Sequence, residues 1–321
     1  MSNYAKIFEE YMKKQIIYND PKNLYQPVKY ILDSGGKRLR PLIILNACDI
    51  FTGNTSNALP AALSLEIFHN FTLAHDDIMD NSLVRRGNKT IHNKWDINTG
   101  ILSGDVMLII AYEILNKYDD SKYLLLSKQL TKTSRLVCEG QQEDMDFALK
   151  KNVEEDKYFK MIKNKTAVLI GSSFMFAGIV SNLKTKDVKV LYKVGENLGT
   201  AFQLEDDFLD CFGDYDKFGK RIGRDILEKK KTLLFINTIS KLKSEKKKEF
   251  LNIFFSDTMH ESDKINSIKT FYEDSGSVIY LKKKVEEFSN TAKKLINTLE
   301  IDNEKKLQII KLSESLLNRE V

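Results

Sequence analysis

The stretch from Ala61 to Asp80 reads AALSLEIFHNFTLAHDDIMD, with apolar residues dominating until three aspartates appear near its end. A helix that is apolar around most of its circumference is typical of a central, buried position. A second stretch, Leu191–Phe212, has the same character and reads LYKVGENLGTAFQLEDDFLDCF. Its Gly195 and Gly199 lie about one turn apart, where a neighbouring helix could approach closely. We therefore predict two buried helices, each carrying a group of aspartates.

The rest of the chain is typical of an all-α protein. Its 321 residues are 42% hydrophobic, which is ample for a large buried core. All four prolines lie within the first sixty residues, so long helices can follow without interruption. No linker rich in proline, serine or glycine divides the sequence, and after about Lys241 the charged amphipathic pattern indicates peripheral helices. We predict a single domain over residues 1–321.

Charge, hydropathy and cysteine content restrict the possible partners and location. The formal charge of +5 is too small to indicate a nucleic-acid partner on its own. The most apolar stretch, Ala167–Val180, has fourteen residues, whereas a membrane-spanning helix needs about 20. Cys48, Cys138 and Cys211 lack CxxC spacing, which indicates buried free thiols in a reducing compartment. We expect a cytoplasmic protein without stable membrane insertion.

Two groups of aspartates suggest a metal site. They are Asp76, Asp77 and Asp80 in the first stretch, and Asp206, Asp207 and Asp210 in the second. Positions four apart share a helix face, so the outer two of each group project together, while the middle one lies about 100° around the helix. Six carboxylates on apolar helices repel one another strongly without counter-charge. Magnesium fits, because it prefers oxygen ligands and is usually held by one or two carboxylates plus substrate phosphates.

A single DDxxD group could equally be a solvated acidic helix end, but two copies on buried helices favour function.

Basic groups elsewhere in the sequence fit the phosphate-bearing substrate that the aspartates suggest. The segment Ser34–Pro41 reads SGGKRLRP and places three cations beside two glycines, while Arg85 and Arg86 follow Asp80 closely. Diphosphate oxygens suit bidentate arginine and the point charge of lysine. Together with the acidic groups, these cations predict a second, metal-free diphosphate pocket.

These motifs resemble those of the trans-polyprenyl diphosphate synthases. The resemblance rests on GGKRLRP at 35–41, HDDIMD at 75–80 followed by RRG at 85–87, and FQLEDDFLD at 202–210. It extends in order and spacing from about Gly35 to Leu233, with shorter matches at Ser103-Gly104-Asp105, Glu139-Gly140-Gln141, Lys165-Thr166, Gly219-Lys220, Gly223-Arg224-Asp225 and Lys230.

The resemblance implies a fold, an assembly and a reaction. The fold would have ten or more mostly antiparallel helices around a deep central cavity, usually in a homodimer. An allylic diphosphate, bound through three magnesium ions, would lose diphosphate to leave an allylic cation. The double bond of isopentenyl diphosphate would attack that cation, and a proton would then be lost.

The resemblance also assigns roles by position. Asp76, Asp80 and Asp206 match metal ligands, with Asp77, Asp207 and Asp210 in support. Contacts to isopentenyl diphosphate fall on Lys37, Arg40, His69 and Arg86. Contacts to the allylic substrate fall on Arg85, Lys165, Thr166, Gln203, Lys220 and Lys230. The chain departs from the family at Lys229, where glycine is frequent, and this affects the loop next to Lys230.

Product length is predicted from the residues preceding the first aspartates. Phe71 lies five residues before Asp76, about 7.5 Å along a helix axis. In the family that this chain resembles, a bulky residue there acts as a floor for the growing chain. Thr72, the next residue, is not aromatic, so the floor is partial. We predict geranylgeranyl diphosphate as the first choice of product and farnesyl diphosphate as the second.

Three other functions are compatible with parts of the sequence. A terpene cyclase also ionises a diphosphate with a DDxxD group, but it generally pairs that group with a mixed Asn/Ser/Glu motif and has no isopentenyl site. A non-catalytic partner subunit of a prenyl synthase typically loses one aspartate group, and this chain keeps both. A basic scaffold for RNA or membranes would need an aromatic-basic stripe, which the sequence does not contain.

Overall fold

The computed structural model of the chain describes residues 2–213 and 222–317, and these residues are helical apart from loops and a short β-hairpin. The amino-terminal elements are α1 (Ser2–Gln15), α2 (Lys22–Asp33), α3 (Leu39–Thr52), a 3₁₀ turn (Ser56–Ala58), α4 (Leu59–Met79), β1 (Val84–Arg85), β2 (Asn88–Lys89), α5 (Ile91–Lys94) and α6 (Ile97–Leu115). The central elements are α7 (Asp120–Ala148), α8 (Glu155–Ile162), a π-helical turn (Lys163–Ala167), α9 (Val168–Val180) and α10 (Thr185–Phe212). The remaining elements are α11 (Arg224–Leu227), α12 (Leu233–Lys241), α13 (Ser244–Phe255), α14 (Glu261–Asp274), α15 (Ser277–Asn297) and α16 (Asn303–Leu317). The predicted all-α class, with ten or more helices, is confirmed.

The chain forms two compact units. The first unit comprises Met1–Thr133, Ser172–Tyr192 and Glu300–Leu312. The second unit comprises Ser134–Gly171, Lys193–Leu299 and Ser313–Val321. Neither unit is one continuous segment, and the single domain over residues 1–321 stays a prediction.

The first unit is built around α4, whose residues are mostly buried, as its apolar sequence predicts. Helix α6 packs closely against it. The Ser64 hydroxyl donates to the carbonyl of Ala111 at 2.6 Å. A side chain on Gly100 would lie 2.8 Å from Ile78, and one on Gly104 would collide with the His75 ring. The predicted buried helix Ala61–Met79 is thus confirmed, and the glycines of α6 permit its close packing.

In the second unit, helix α10 lies against the backbone of α9 and of the π-helical turn. A β-carbon on Gly195 would lie 2.6 Å from the Gly171 α-carbon, and one on Gly199 would lie 2.6 Å from the Ala167 α-carbon. The close helix approach predicted at both glycines is therefore confirmed. An aromatic cluster that includes Phe235, 4.4 Å from Phe254 between ring centroids, lies in the core of the same unit.

Two details of the sequence interpretation need correction or extension. Cys138 is exposed, whereas Cys48 and Cys211 are buried as expected; all three are free thiols. Helix α6, and not the shorter stretch Ala167–Val180, is the described helix long and apolar enough to cross a membrane. One such helix is weak evidence for a span, because core helices of soluble proteins have the same composition.

Candidate active site

The first aspartate group lies at the carboxyl end of α4. Asp76 and Asp77 belong to its last turn, and Asp80 is the C-cap residue, whose N–H donates to the Asp76 carbonyl at 2.8 Å. Carboxylates are unfavourable there, because the helix dipole places partial negative charge at that end. A bound cation would offset both the carboxylate charges and the partial negative charge of the helix end.

Asp77 has a structural partner in the first unit. Its side chain is 2% exposed, and its Oδ1 accepts from Nε and Nη2 of Arg85, both at 2.7 Å. Burial raises the pKa of Asp77 despite the opposing charge of Arg85. The carboxylate therefore ties the β-hairpin to the end of α4.

The hairpin places Arg86 in its two-residue turn. Arg86 and Gly87 have positive φ, at 53° and 76°, as a type I′ turn requires. The Arg86 guanidinium donates to the carbonyl of Gly35 and lies against Gly36, where a β-carbon would be 2.7 Å from Cζ. The two glycines of the GGKRLRP motif thus make room for this arginine.

Arg86 also lies close enough to His69 to affect its titration. The Arg40 Nη1 atom lies 3.0 Å from His69 Nε2. Because a guanidinium can only donate, Nε2 must accept, and His69 is neutral with its proton on Nδ1. Burial lowers the pKa of His69, and the charges of Arg40, Arg86, Arg85 and Arg38 lower it further. Three of the four residues predicted to bind isopentenyl diphosphate, namely Arg40, His69 and Arg86, are therefore neighbours. The fourth, Lys37, is exposed on the loop between α2 and α3.

Arg38 differs from the other cations of this loop. It is 5% exposed, and its Nη1 donates to Glu66 Oε1 at 2.7 Å inside the first unit. A second donation reaches the carbonyl of Leu32. Of the three cations in the motif, Arg38 is therefore the one that holds the loop to the core.

Phe71, the predicted floor residue, lies on α4 and is 7% exposed. Its ring contacts His75 edge-on at 4.9 Å between centroids and Phe68 at 5.6 Å. The hydroxyl of Thr72 donates to the carbonyl of His69 at 2.8 Å, so it stays on its own helix. The aromatic bulk at this level of α4 comes from Phe71.

The second aspartate group lies in the last two turns of α10. Asp207 is 5% exposed; its Oδ1 accepts from Gln203 Nε2 at 2.9 Å, and its Oδ2 accepts from the Tyr158 hydroxyl. Burial, with the nearby charge of Asp225, raises the pKa of Asp207 to about 8 and that of Asp210 to about 7. Nearby positive groups of the protein thus do not fully balance the negative charge of these carboxylates.

The π-helical turn carries Lys165 and Thr166. Its backbone lies against Gly140 of α7, where a β-carbon would be 2.8 Å from the Lys165 α-carbon. Lys165 Nζ donates to Asp144 Oδ2 at 2.5 Å, and the Thr166 hydroxyl donates to Gln203 Oε1 at 2.9 Å. The structure therefore brings together three of the residues predicted to contact the allylic substrate.

Lys230 lies among carboxylates of the second unit. Its Nζ is 3.4 Å from Asp225 and 3.2 Å from Glu228. Burial would lower the pKa of Lys230, but the charges of Asp225, Glu228 and Asp144 raise it overall. Lys220, predicted to act with it, lies outside the described residues.

Lys229, the departure from the family pattern, has a φ of 57°, a conformation that favours glycine. Its ammonium pairs with Asp257, which holds the strained turn in place. The loop that carries Lys230 is therefore built without the glycine.

Sequence reasoning did not select Asp144 or Asp225 as site residues. Asp225 was part of a shorter match to the family, and Asp144 follows the Glu139-Gly140-Gln141 match at helical spacing. Both lie close to a predicted substrate-binding lysine. An acid three residues after Gln141, on the same helix face, was the available signal.

The donor set fits magnesium, although no closed cage exists. Among residues 2–213 and 222–317, no three His, Cys, Asp or Glu side chains are already grouped around one metal position. Magnesium is usually bound through one or two carboxylates, with waters and substrate phosphates completing its ligands. Burial raises the pKa values of Asp207 and Asp210, and both groups lie at helix carboxyl ends, so a bound cation would offset negative charge at each group.

Comparison with known proteins places these residues in a family. The model of the polyprenyl synthetase family matches residues 21–272. A geranylgeranyl diphosphate synthase of Methanosarcina mazei is 34% identical over 302 residues, covering 94% of this chain and 91% of the relative.

Comparison with solved structures gives the same result as comparison with sequences. A crystal structure of a geranylgeranyl pyrophosphate synthase is 41% identical, with a TM-score of 0.94 and coverage of 100% of this chain and 99% of the other. Another such enzyme, from Pyrococcus horikoshii, is 31% identical with a TM-score of 0.90 and coverage of 98% and 96%. The predicted resemblance is confirmed: the chain belongs to the polyprenyl synthetase family.

Proposed function

We propose that the chain is a trans-prenyltransferase that condenses isopentenyl diphosphate with an allylic diphosphate to give a short-chain product. The observation that carries the proposal is the pairing of two aspartate groups at helix carboxyl ends with a separate basic group formed by Arg40, His69 and Arg86. Hydrolysis of one diphosphate would need only the acidic groups. A second, metal-free diphosphate site supports carbon–carbon bond formation.

The basic group would bind isopentenyl diphosphate. Arg40 and Arg86 supply donors in the planar arrangement that suits phosphate oxygens, and Lys37 adds an exposed ammonium. Neutral His69 accepts from Arg40 and so holds that guanidinium without competing for the phosphate. The Asp77–Arg85 pair keeps the hairpin, and hence Arg86, in place.

Prenyl synthases generally use Mg²⁺, and we propose three ions for this chain. Asp76 and Asp80 on α4, and Asp206 with Asp210 on α10, would supply carboxylate ligands. Bound magnesium would neutralise the charge that develops on the departing diphosphate. Asp77 and Asp207 would support the ligands, since their carboxylates already accept hydrogen bonds from protein groups.

We propose that the allylic diphosphate is bound by Lys165, Thr166, Gln203 and Lys230, and the resemblance to the family adds Arg85. Lys165 lies 2.5 Å from Asp144, and Lys230 lies 3.4 Å from Asp225. A bound diphosphate would compete with these carboxylates for the lysine ammonium groups. Lys220 completes the proposed set from outside the described residues.

The product would be geranylgeranyl diphosphate, with farnesyl diphosphate the second choice. Phe71 supplies aromatic bulk on α4, while Thr72 is small and bonded to its own helix. The names of the relatives above support the same order, because both structures and the curated relative are geranylgeranyl enzymes.

The active assembly would be a homodimer in the cytoplasm. Large apolar side chains of the first unit are exposed on α6 and α7: Ile101, Leu102, Ile109, Leu124 and Leu125. Exposed apolar residues on neighbouring helices are typical of subunit interfaces. We call these five residues the α6–α7 surface and propose that a second copy covers it. The three free thiols support a reducing compartment.

The test supplies magnesium, isopentenyl diphosphate and, in turn, dimethylallyl, geranyl or farnesyl diphosphate, with products identified by chromatography. We expect geranylgeranyl diphosphate from at least one starter. No product from any of them would refute the enzyme and favour a non-catalytic partner subunit. Hydrocarbon released from an allylic diphosphate without isopentenyl diphosphate would favour a terpene cyclase.

A further inference from the structure

Tyr158 on α8 is a fully buried phenol to which neither the sequence motifs nor the reaction assign a role. Its side chain is 1% exposed and belongs to the apolar core of the second unit, with Leu204 and Leu233 in the same cluster. Its hydroxyl donates to Asp207 Oδ2. A buried phenol that reaches a carboxylate of the proposed site has a function beyond filling space, because Phe would pack there without needing a partner.

The bond to Asp207 continues into the allylic site. Asp207 Oδ1 accepts from Gln203 Nε2 at 2.9 Å, and Gln203 Oε1 accepts from the Thr166 hydroxyl at 2.9 Å. The Gln203 amide can have only this orientation, because the reverse would place its oxygen against the carboxylate. Asp207 thus sets the direction of Gln203, and Gln203 sets the rotamer of Thr166.

Tyr158 also belongs to the same buried cluster as the start of the helix that follows Lys230. Leu233, the first residue of α12, is fully buried in this cluster. The ring of Tyr158 is therefore fixed by the core of the second unit, while its hydroxyl reaches Asp207.

We propose that Tyr158 is the positioning residue of the allylic site, because through Asp207 it holds Gln203 and Thr166 in fixed geometry. The inference rests on the proposed function, since that function supplies the allylic substrate. Tyr158 acts through Asp207 and does not contact the substrate itself. The proposal makes Asp207 mainly a supporting residue, because both of its oxygens accept from protein donors.

The test is Tyr158→Phe, which removes the hydroxyl and keeps the buried ring. Loss of one buried hydrogen bond changes affinity by up to about tenfold. We expect the KM for geranyl diphosphate to rise by about that factor and the KM for isopentenyl diphosphate to stay unchanged. Calorimetric titration of geranyl diphosphate with magnesium, without isopentenyl diphosphate, should show the same weakening.

Tyr280→Phe is the matched control. The Tyr280 hydroxyl also donates to a carboxylate, Glu155 Oε1 at 2.6 Å, in the same unit but outside this chain of bonds. We expect its substrate affinities to equal those of the wild type. Gln203→Leu, alone and combined with Tyr158→Phe, tests the route, because residues that act through one chain give non-additive effects.

The outcomes separate two questions. Equal changes in both KM values, or geranyl diphosphate binding that Tyr158→Phe leaves unchanged, would overturn the role of Tyr158. Thermal unfolding shows whether the variants are folded at the assay temperature; if Tyr158→Phe is not, the same comparison of the two substrates is made below its unfolding temperature. Wild-type protein that binds geranyl diphosphate but forms no product would instead overturn the proposed function. Comparing geranyl diphosphate binding by the wild type and Tyr158→Phe would still test the role of Tyr158.

Discussion

At the scale of the residue, the six aspartates divide by their partners. Asp77 and Asp207, the middle residues of their groups, have carboxylates held by Arg85, and by Gln203 and Tyr158. A carboxylate oxygen already engaged by a protein donor is less available to a metal ion. We expect the loss of Asp76 or Asp206, the predicted metal ligands at the start of each group, to affect turnover most.

We expect Asp76→Asn and Asp206→Asn each to reduce turnover by about 100-fold or more, because an amide carries no charge to hold magnesium near the leaving group. Steady-state rates at saturating substrates measure this. Asp302→Asn, at an exposed position before α16, is the control and should be active. Mild effects at both sites would contradict the metal assignment.

Phe71→Ala should lengthen the product, since it removes the aromatic bulk on α4. Chromatography of the prenyl products with each allylic starter is the measurement. Loss of a buried ring also lowers stability, by about 3–5 kcal/mol, so Phe254→Ala in the aromatic cluster of the second unit serves as a control with similar damage. An unchanged product distribution would rule out the floor.

His69 should make stability depend on pH. Burial and the neighbouring arginines lower its pKa in the folded protein, so below about pH 6.5 the unfolded chain binds a proton that the folded chain does not. Stability contributed at higher pH is then lost as pH falls, by at most about 1.4 kcal/mol per pH unit.

Urea unfolding at pH 7.5 and 5.5 measures the effect. His69→Gln keeps an acceptor for Arg40 but cannot titrate, so its free energy of unfolding should fall less over this interval than that of the wild type. Equal losses in the two proteins would show that His69 titrates normally when folded.

At the scale of the element, the π-helical turn determines where Lys165 and Thr166 lie. Insertion of a π turn between α8 and α9 changes the direction of the side chains it carries, and such turns are frequent at functional sites. The turn can approach α7 only because residue 140 is glycine, whose β-carbon would meet backbone atoms of Asn164 and Lys165. Backbone cannot move aside as a flexible side chain can.

Gly140→Ala should therefore displace the turn, destabilise the protein by about 1–3 kcal/mol and raise the KM for the allylic substrate. Thermal unfolding and steady-state kinetics are the measurements. Gly178→Ala is the control, since a β-carbon there would first meet the end of the Leu191 side chain, which can rotate. If Gly140→Ala has wild-type kinetics, the turn has no part in substrate binding.

At the scale of the whole molecule, the α6–α7 surface should determine assembly. Its five residues are about half exposed in the single chain, with Ile109 at 64%. Burial of apolar surface contributes about 25 cal/mol per Å². Covering these five residues with a second copy would therefore stabilise a dimer. In such a dimer, the apolar composition of α6 would serve two packing partners, α4 and the second copy.

We expect Ile109→Glu to convert a dimer to a monomer, because a carboxylate would be buried without a partner. Size-exclusion chromatography with light scattering measures the mass. Ile279→Glu is the matched control, as Ile279 is 74% exposed on α15, a helix of the second unit. A monomeric wild type, or a dimeric Ile109→Glu variant, would contradict the proposed assembly.

Much of this protein could be predicted from its sequence, for a physical reason. Helix class, the buried character of α4 and the close approach at Gly195 and Gly199 depend on local composition and periodicity, which sequence displays directly. The sequence shows two arginines after Asp80 but does not predict the hairpin there, because its strands are only two residues long. The exposure of Cys138 was missed, because one cysteine on a helix does not reveal which side faces the core.

The sequence by itself determined the family, the all-α class and the six carboxylates, because motif spacing and apolar periodicity are properties of the chain alone. Only the tertiary structure decided which charged groups are engaged within the protein. Arg38 and Arg40 are two residues apart, yet Arg38 is bonded to Glu66 in the core while Arg40 faces His69. Asp207 meets Tyr158 from 49 positions away in the sequence. Such pairings depend on how distant helices pack, so side chains of one type take different roles in the same motif.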